Sequence, residues 1–225
     1  MKKIKAVIFD MDGVLVDAKI WHFESLNYAL QFYGFDIISK DQHIKYYDGL
    51  PTKEKLKIHH QTKKLGIDWF DKINKAKQQH TMNTIETKCQ SNKEHMLTLS
   101  KLKNLGYRLA VCSNSIKKTV SVIMKKTCLL QYIEFFLSNE DVVEPKPSPE
   151  IYNNAINKMQ LLPEEVLVCE DNINGIKSAI ASGANVLEIQ TIKDVNLKNI
   201  QGAIQVCENS TKQVKIQSEK NFKNQ

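Results

Sequence analysis

Ala6-Val7-Ile8-Phe9-Asp10-Met11-Asp12-Gly13-Val14-Leu15-Val16-Asp17 is the stretch on which the reading of this chain turns. Ala6 to Phe9 are apolar at every position, which predicts a strand buried on both faces, as in a parallel sheet covered by helices. The run ends in Asp10 and Asp12, and Gly13 permits a sharp turn away from the strand. Open α/β sheets keep their chemistry at the C-terminal ends of their strands, where Asp10 would stand. Two carboxylates this close repel each other, and a hard divalent cation between them is the ordinary remedy.

Outward from this stretch the chain divides by pattern. Helical spacing recurs over Lys19–Phe32, Ser39–Tyr47, Lys53–Leu65 (with Thr52 as its expected cap) and Trp69–Thr87, with no strand between them. From Lys93 onward, helices alternate with apolar runs. The runs are Arg108–Cys112, Glu134–Leu137, Glu165–Cys169 and Asn185–Ile189, and the helices are Lys93–Leu105, Lys118–Leu130, Glu150–Met159 and Ile173–Ser182. That alternation predicts an α/β fold, a doubly wound Rossmann-like parallel sheet with an inserted α-helical cap. The expected boundaries are 1–16 and 89–208 for the core, 17–88 for the cap and 209–225 for a polar C-terminal tail, mobile or helical. Ala203–Cys207 is read as a further edge strand. An insert after the first strand is expected to overhang the C-terminal edge of the sheet, opening for substrate and closing to exclude water.

Composition narrows the function. The chain has 225 residues, 42% hydrophobic and 25% charged, and a net charge of +7. No run approaches the roughly 18 apolar residues of a membrane span, and the start does not read as a signal peptide, so a cytoplasmic protein without a membrane partner is expected. The positive charge is nearly all lysine, and Arg108 is the only arginine. Base readout and bidentate phosphate clamps favour arginine, so no nucleic-acid partner is expected. The five cysteines form no CxxC pair and their number is odd, which argues against a disulfide framework or a zinc site. Cys112 and Cys169 fall in apolar runs and read as small core residues. His59 and His60 are rejected as metal ligands, because adjacent helical residues do not face one point.

Four strand ends or the loops behind them carry polar groups that a parallel sheet would gather on one edge. These are Asp10 and Asp12, Ser113 and Asn114, Lys146, and Glu170 with Asp171. Asp10, Glu170 and Asp171 are hard oxygen donors suited to Mg²⁺. Asp10 can attack phosphorus to form an aspartyl-phosphate, and Asp12 can protonate the leaving oxygen and then deprotonate the incoming one. Ser113 and amides near Asn114 can hold phosphoryl oxygens, while Lys146 offsets negative charge.

With those residues in view, the chain resembles the haloacid dehalogenase superfamily of aspartate-nucleophile phosphotransferases. The resemblance rests on Asp10-Met11-Asp12-Gly13-Val14, Cys112-Ser113-Asn114-Ser115, Lys146-Pro147-Ser148-Pro149-Glu150-Ile151-Tyr152, and Cys169-Glu170-Asp171-Asn172 leading to Gly175-Ile176-Lys177-Ser178-Ala179. It implies that the main-chain carbonyl of Asp12 also joins the magnesium site, and that Glu170 or Asp171 reaches the metal through water. It implies phosphoryl transfer over dehalogenation, since dehalogenating members lack the second aspartate. Within the superfamily, Asp17–Leu26 is similar to the hinge and first cap helix of β-phosphoglucomutase-like sugar phosphatases and mutases. His22 then matches the mutase cap histidine and Lys77 its cap lysine. Thr52 stands where the mutase has a phosphate-gripping arginine, with Lys53 beside it, so a hydrolase is the simpler expectation. The expectation is a monomeric Mg²⁺-dependent phosphatase of a small phosphorylated metabolite, a sugar phosphate. A phosphomutase, a phosphonate-cleaving enzyme using Lys53, and a non-catalytic binding protein with the same fold are the alternatives.

Overall fold

The structure is a computed structural model that describes residues 3–63, 65–210 and 212–217. The chain folds as two compact units, one of residues 1–17 and 90–225 and the other Ala18–Cys89.

The first unit is built on a six-stranded parallel sheet in the order β3-β2-β1-β4-β5-β6. Its strands are β1 (Ala6–Phe9), β2 (Arg108–Cys112), β3 (Phe135–Leu137), β4 (Val166–Glu170), β5 (Asn185–Glu188) and β6 (Lys215–Gln217). β1 lies at the centre, with Ala6 opposite Arg108 on one side and Val166 on the other. From it the chain builds outward to β2 and β3, then returns to build β4, β5 and β6 on the other flank. That reversal at β1 makes the crevice where open α/β sheets bind ligands. All four β1 residues are buried, as their unbroken apolar pattern requires.

Alternation along the strands sends Ala6, Ile8, Ala110, Cys112, Val166 and Val168 to one face. There they pack with Ile151, Tyr152 and Ala155 of α7 (Glu150–Lys158) and with Ile176 and Ala179 of α8 (Ile173–Ala181). Among the described residues, the remaining α-helices of this unit are α5 (Lys93–Asn104), α6 (Lys117–Lys126) and α9 (Leu197–Asn209). α5 and α9 pack on each other and contact β2 and β5 respectively.

Three local expectations change in this unit. Ala203–Cys207 is not an edge strand but part of α9. Its buried residues are Ile200, Ala203, Ile204 and Cys207, a spacing of three and four that only a helix puts on one side. Each fully buried isoleucine there contributes about 1.5–3 kcal/mol. The edge strand is β6, which falls in the stretch read as a polar tail; only its Ile216 is buried, so its sequence carries little strand signal. Residues 218–225 of that tail lie outside the described residues. Finally, α6 stops at Lys126 rather than Leu130, because Cys128 takes a φ of 60°.

The second unit is helical. It comprises α1 (Lys19–Phe32), α2 (Lys40–Gln42) running into a π-helical turn at His43–Tyr47, α3 (Thr52–Lys63) and α4 (Phe70–Lys88). Ser39 caps α2 through a reciprocal box: its hydroxyl accepts the Gln42 amide at 3.2 Å and its own amide donates to Gln42 Oε1 at 3.1 Å. Thr52 is the first residue of α3, not a cap before it; Lys64, in the expected last turn, lies outside the described residues. The core is Leu26, Ala29 and Leu30 of α1 with Ile38, Tyr47, Leu56, Leu65 and Ile73. On α4 the buried row is Ile73, Lys77, Thr81, Thr84 and Ile85. The hydroxyls of Thr81 and Thr84 donate to the carbonyls of Lys77 and His80, which satisfies them inside the helix.

Candidate active site

The site begins one residue beyond β1. The Asp10 amide donates to Cys169 O at 2.9 Å, which ties the end of β1 to β4. The chain then closes into a tight turn. Gly13, at φ 99°, donates to Val16 O at 2.7 Å, and the amides of Leu15 and Val16 both donate to Met11 O at 3.0 Å. A side chain at Gly13 would be strained in that conformation. The turn leaves Asp10 buried and Asp12 half-buried on its rim.

Lys146 reaches this point from the loop before α7. Its ammonium has three protons and three acceptors: Asp10 Oδ1 at 2.6 Å, Cys112 O at 2.8 Å and Glu170 Oε1 at 2.7 Å. Its backbone is held by Asn114, whose Oδ1 accepts the Lys146 amide at 3.1 Å and whose Nδ2 donates to the Lys146 carbonyl at 3.3 Å. The following Lys146–Pro147 peptide is cis. Asn114, expected near the substrate, therefore has its side chain on the backbone of Lys146.

Glu170, the last residue of β4, is held as completely. Its Oε1 accepts from Lys146 and from the Tyr152 hydroxyl at 2.9 Å, and its Oε2 accepts the amides of Asp171 and Asn172 at 3.0 and 3.2 Å. Tyr152 also sets its ring 4.8 Å from the Lys146 ammonium, a cation–π contact. Gly175 leaves room for this carboxylate: a β-carbon there would lie 1.7 Å from Glu170 Oε1. Ser113 is buried, and its Oγ accepts the Ser115 amide at 3.0 Å, while the Ser115 hydroxyl donates to Asp12 Oδ2 at 2.8 Å.

The electrostatics follow from crowding. Burial pushes the Asp10 carboxyl well above its usual range; Lys146 opposes this, and Glu170, Asp171 and Asp12 add to it. Burial works against the Lys146 ammonium, but Asp10 and Glu170 outweigh it and raise its pKa. The lysine is thus firmly cationic, and two carboxylates, Asp10 and Glu170, share its ammonium, with Asp12 and Asp171 adding their charge nearby. Among the described residues, Asp10, Glu170 and Asp171 form a group able to hold a metal, each offering an oxygen with all three atoms within 4.8 Å of one another. The excess negative charge and the all-oxygen donor set both fit a hard cation. Burial pushes the Cys112 thiol up to about 12, so Cys112 is an inert neighbour of the site; the cysteines are free thiols.

The structure therefore brings together Asp10, Asp12, Ser113, Asn114, Lys146, Glu170 and Asp171. The other expected residues belong to the helical unit. Thr52 and Lys53 open α3, His22 is half-buried in α1, and Lys77 is buried in α4 with Nζ 3.2 Å from His22 Nδ1. Ser115, Tyr152 and Gly175 stand within the sequence motifs but receive no role from sequence reasoning. Ser115 reaches Asp12 across 103 positions and Tyr152 reaches Glu170 across 18, while Gly175 matters through a space that only a small residue leaves.

A model of the family described as haloacid dehalogenase-like hydrolase matches residues 7–189 of the chain. The chain belongs to that family. This haloacid dehalogenase-like hydrolase is 26% identical over 180 residues to a phosphorylated carbohydrates phosphatase of Thermotoga maritima, covering 80% of this chain and 82% of the relative. It is 30% identical over 200 residues to a probable pseudouridine-5'-phosphatase of Saccharomyces cerevisiae, covering 82% and 81%. Its fold is similar to the crystal structure of β-phosphoglucomutase from Clostridium difficile, with a TM-score of 0.78 at 17% identity, over 90% of this hydrolase and 98% of the other chain.

Proposed function

We propose that this hydrolase is a Mg²⁺-dependent phosphatase that cleaves a small phosphorylated metabolite, a sugar phosphate, through an aspartyl-phosphate on Asp10. The observation that carries the reading is the buried Asp10–Lys146–Glu170 chain with Asp12 on the rim beside it. The names of the two phosphatase relatives support the reaction class and a phosphorylated carbohydrate or nucleoside as substrate.

In the first step the Asp10 carboxylate attacks phosphorus and the bond from phosphorus to the leaving oxygen breaks. Asp12, protonated, gives its proton to that oxygen, so the alcohol departs neutral. In the second step water attacks the phosphorus of the aspartyl-phosphate, Asp12 takes back a proton, and phosphate leaves with Asp10 restored. Lys146 balances the charge of Asp10 and Glu170 throughout, and its three committed donors make it a fixed electrostatic element. Asp10, Glu170 and Asp171 would hold Mg²⁺, with the main-chain carbonyl of Asp12. Bound there, Mg²⁺ supplies the positive charge that offsets the crowded carboxylates and the phosphoryl oxygens.

A screen of phosphorylated metabolites for Mg²⁺-dependent phosphate release, with Asp10→Asn as the control, tests the proposal. Turnover undiminished in the variant would sink the mechanism. A phosphomutase is the second reading, supported by the His22–Lys77 contact and the β-phosphoglucomutase-like fold. Interconversion of hexose 1- and 6-phosphates that depends on a bisphosphate activator would favour it; accumulation of free phosphate favours the phosphatase. We also propose a cytoplasmic monomer, to be checked by fractionation and sedimentation.

A further inference from the structure

We infer that Ser115 is a positioning residue for Asp12, fixing the orientation in which its carboxylate exchanges protons with the substrate; the inference rests on the acid/base role proposed for Asp12. The Ser115 hydroxyl donates to Asp12 Oδ2 at 2.8 Å, across a sequence separation that no local turn can explain. Both ends of this bond are braced by backbone. Ser115 is fixed from one side by its amide donating to Ser113 Oγ at 3.0 Å and from the other by its carbonyl accepting the Asn139 amide at 3.2 Å. Ser113 is itself tied to the end of β3 through its amide and Leu137 O at 3.0 Å. On the other strand, Asp12 is carried by the Met11–Val16 turn, whose backbone bonds run from 2.7 to 3.4 Å.

The consequence is directional. A carboxylate can turn about its terminal bond, and a general acid gains from being held in one orientation before substrate arrives. With Oδ2 accepting from Ser115, the plane of the Asp12 carboxylate is held at one of its two oxygens. The proton handed to the leaving group and the proton taken from the attacking water then pass through a carboxylate whose orientation is set before substrate arrives. Ser115 holds the carboxylate in register while Asp12 performs the transfer.

The test separates leaving groups that need a proton from those that do not. kcat/KM is measured for glycerol 2-phosphate, whose alkoxide leaves poorly, and for p-nitrophenyl phosphate, whose phenolate leaves unaided, in wild type, Asp12→Ala, Ser115→Ala and Ser115→Thr. General acid catalysis contributes about 10²–10⁴-fold, so Asp12→Ala should shift the ratio of the two kcat/KM values against the glycerol ester by at least about 10²-fold. Ser115→Ala should shift the same ratio in the same direction by roughly tenfold, a fraction of the acid's contribution, and Ser115→Thr, which keeps the hydroxyl, should restore it. If Asp12→Ala leaves the ratio unchanged, the acid role itself fails. If Asp12→Ala shifts it while Ser115→Ala lowers both substrates equally or neither, the acid role stands and the positioning role of Ser115 is overturned. The ratio is internal to each variant, so a partly folded preparation does not mimic the effect.

Discussion

Replacing Gly175 with alanine sets two opposite expectations against each other. Gly175 lies in α8, where alanine is favoured over glycine by about 1 kcal/mol on helix propensity alone. The space around it reverses the sign. The new β-carbon would stand 1.7 Å from Glu170 Oε1, 2.0 Å from its carboxyl carbon and 2.4 Å from Oε2. Relief requires the carboxylate to retreat by about 1.5–2 Å, and hydrogen bonds of ordinary length do not survive that displacement. Glu170 would lose its contacts to Lys146 and Tyr152, which are 2.7 and 2.9 Å long. Disrupting a buried ion pair costs about 3–5 kcal/mol; after the propensity gain of about 1 kcal/mol, the net loss is about 2–4 kcal/mol. For a chain of this size that corresponds to a fall in Tm of roughly 5–15 °C. Thermal melts with and without Mg²⁺, and calorimetric titration of Mg²⁺ into the folded variant at low temperature, give the readout. The variant should melt lower and bind the metal more weakly. A Gly175→Ala protein as stable as wild type with unchanged Mg²⁺ affinity would refute the reasoning, because Glu170 would then have to be free to move.

Lys146→Met leaves Asp10 and Glu170 facing each other without their cation, and should cost about 3–5 kcal/mol, seen as a lowered urea midpoint, together with at least a 10²-fold loss of phosphate release, the scale of a single preorganised electrostatic group. Asp48→Asn tests the helical unit. Burial alone would raise the Asp48 carboxyl, but the His43 hydrogen bond, Lys19 and Lys55 bring it from 3.8 down to about 2. A depressed carboxyl stabilises the fold above its unfolded pKa, and this is lost as pH falls through the folded value. The variant's deficit, about 1 kcal/mol after discounting for solvent screening, should therefore be full at pH 7, shrink below about pH 4 and vanish near pH 2 in thermal melts across that range. Arg108→Lys should cost about 1 kcal/mol in urea unfolding. Lysine cannot reproduce the fork onto Glu134, at 2.8 and 2.6 Å, together with the third bond to Met159 O.

What could be read before folding was what local pattern encodes. β1, β2, β4 and β5 were visible because buried parallel strands are apolar at nearly every position, and the acids at their ends were visible because such strands stop abruptly. β6 was hidden because an edge strand of three residues with one buried side chain has no pattern to show. The misread of Ala203–Cys207 has a plain cause: Ile200, Ala203, Ile204 and Cys207 belong to one helical stripe, and a window of five residues truncates it into an apolar run. Asp10, Lys146 and Glu170 could be gathered by argument because a parallel sheet puts its strand ends together. The grip of Tyr152 on Glu170, the clearance at Gly175 and the reach of Ser115 to Asp12 depend on side-chain placement to within an ångström, which no spacing in the sequence specifies.

The central position of β1 has a consequence for how the chain is made. Its neighbours on both sides are synthesised long after it: Ala6 pairs with Arg108 and with Val166. At about 5–20 residues per second, this fully apolar strand waits roughly 5–20 s for its first partner and up to about half a minute for its second. In that interval the helical segment Ala18–Cys89 is already fully translated. The nascent chain thus carries an unpaired, aggregation-prone strand until Arg108 and then Val166 have been made, and Asp10 beside that strand meets Lys146, 136 positions further along, only after β2 is in place.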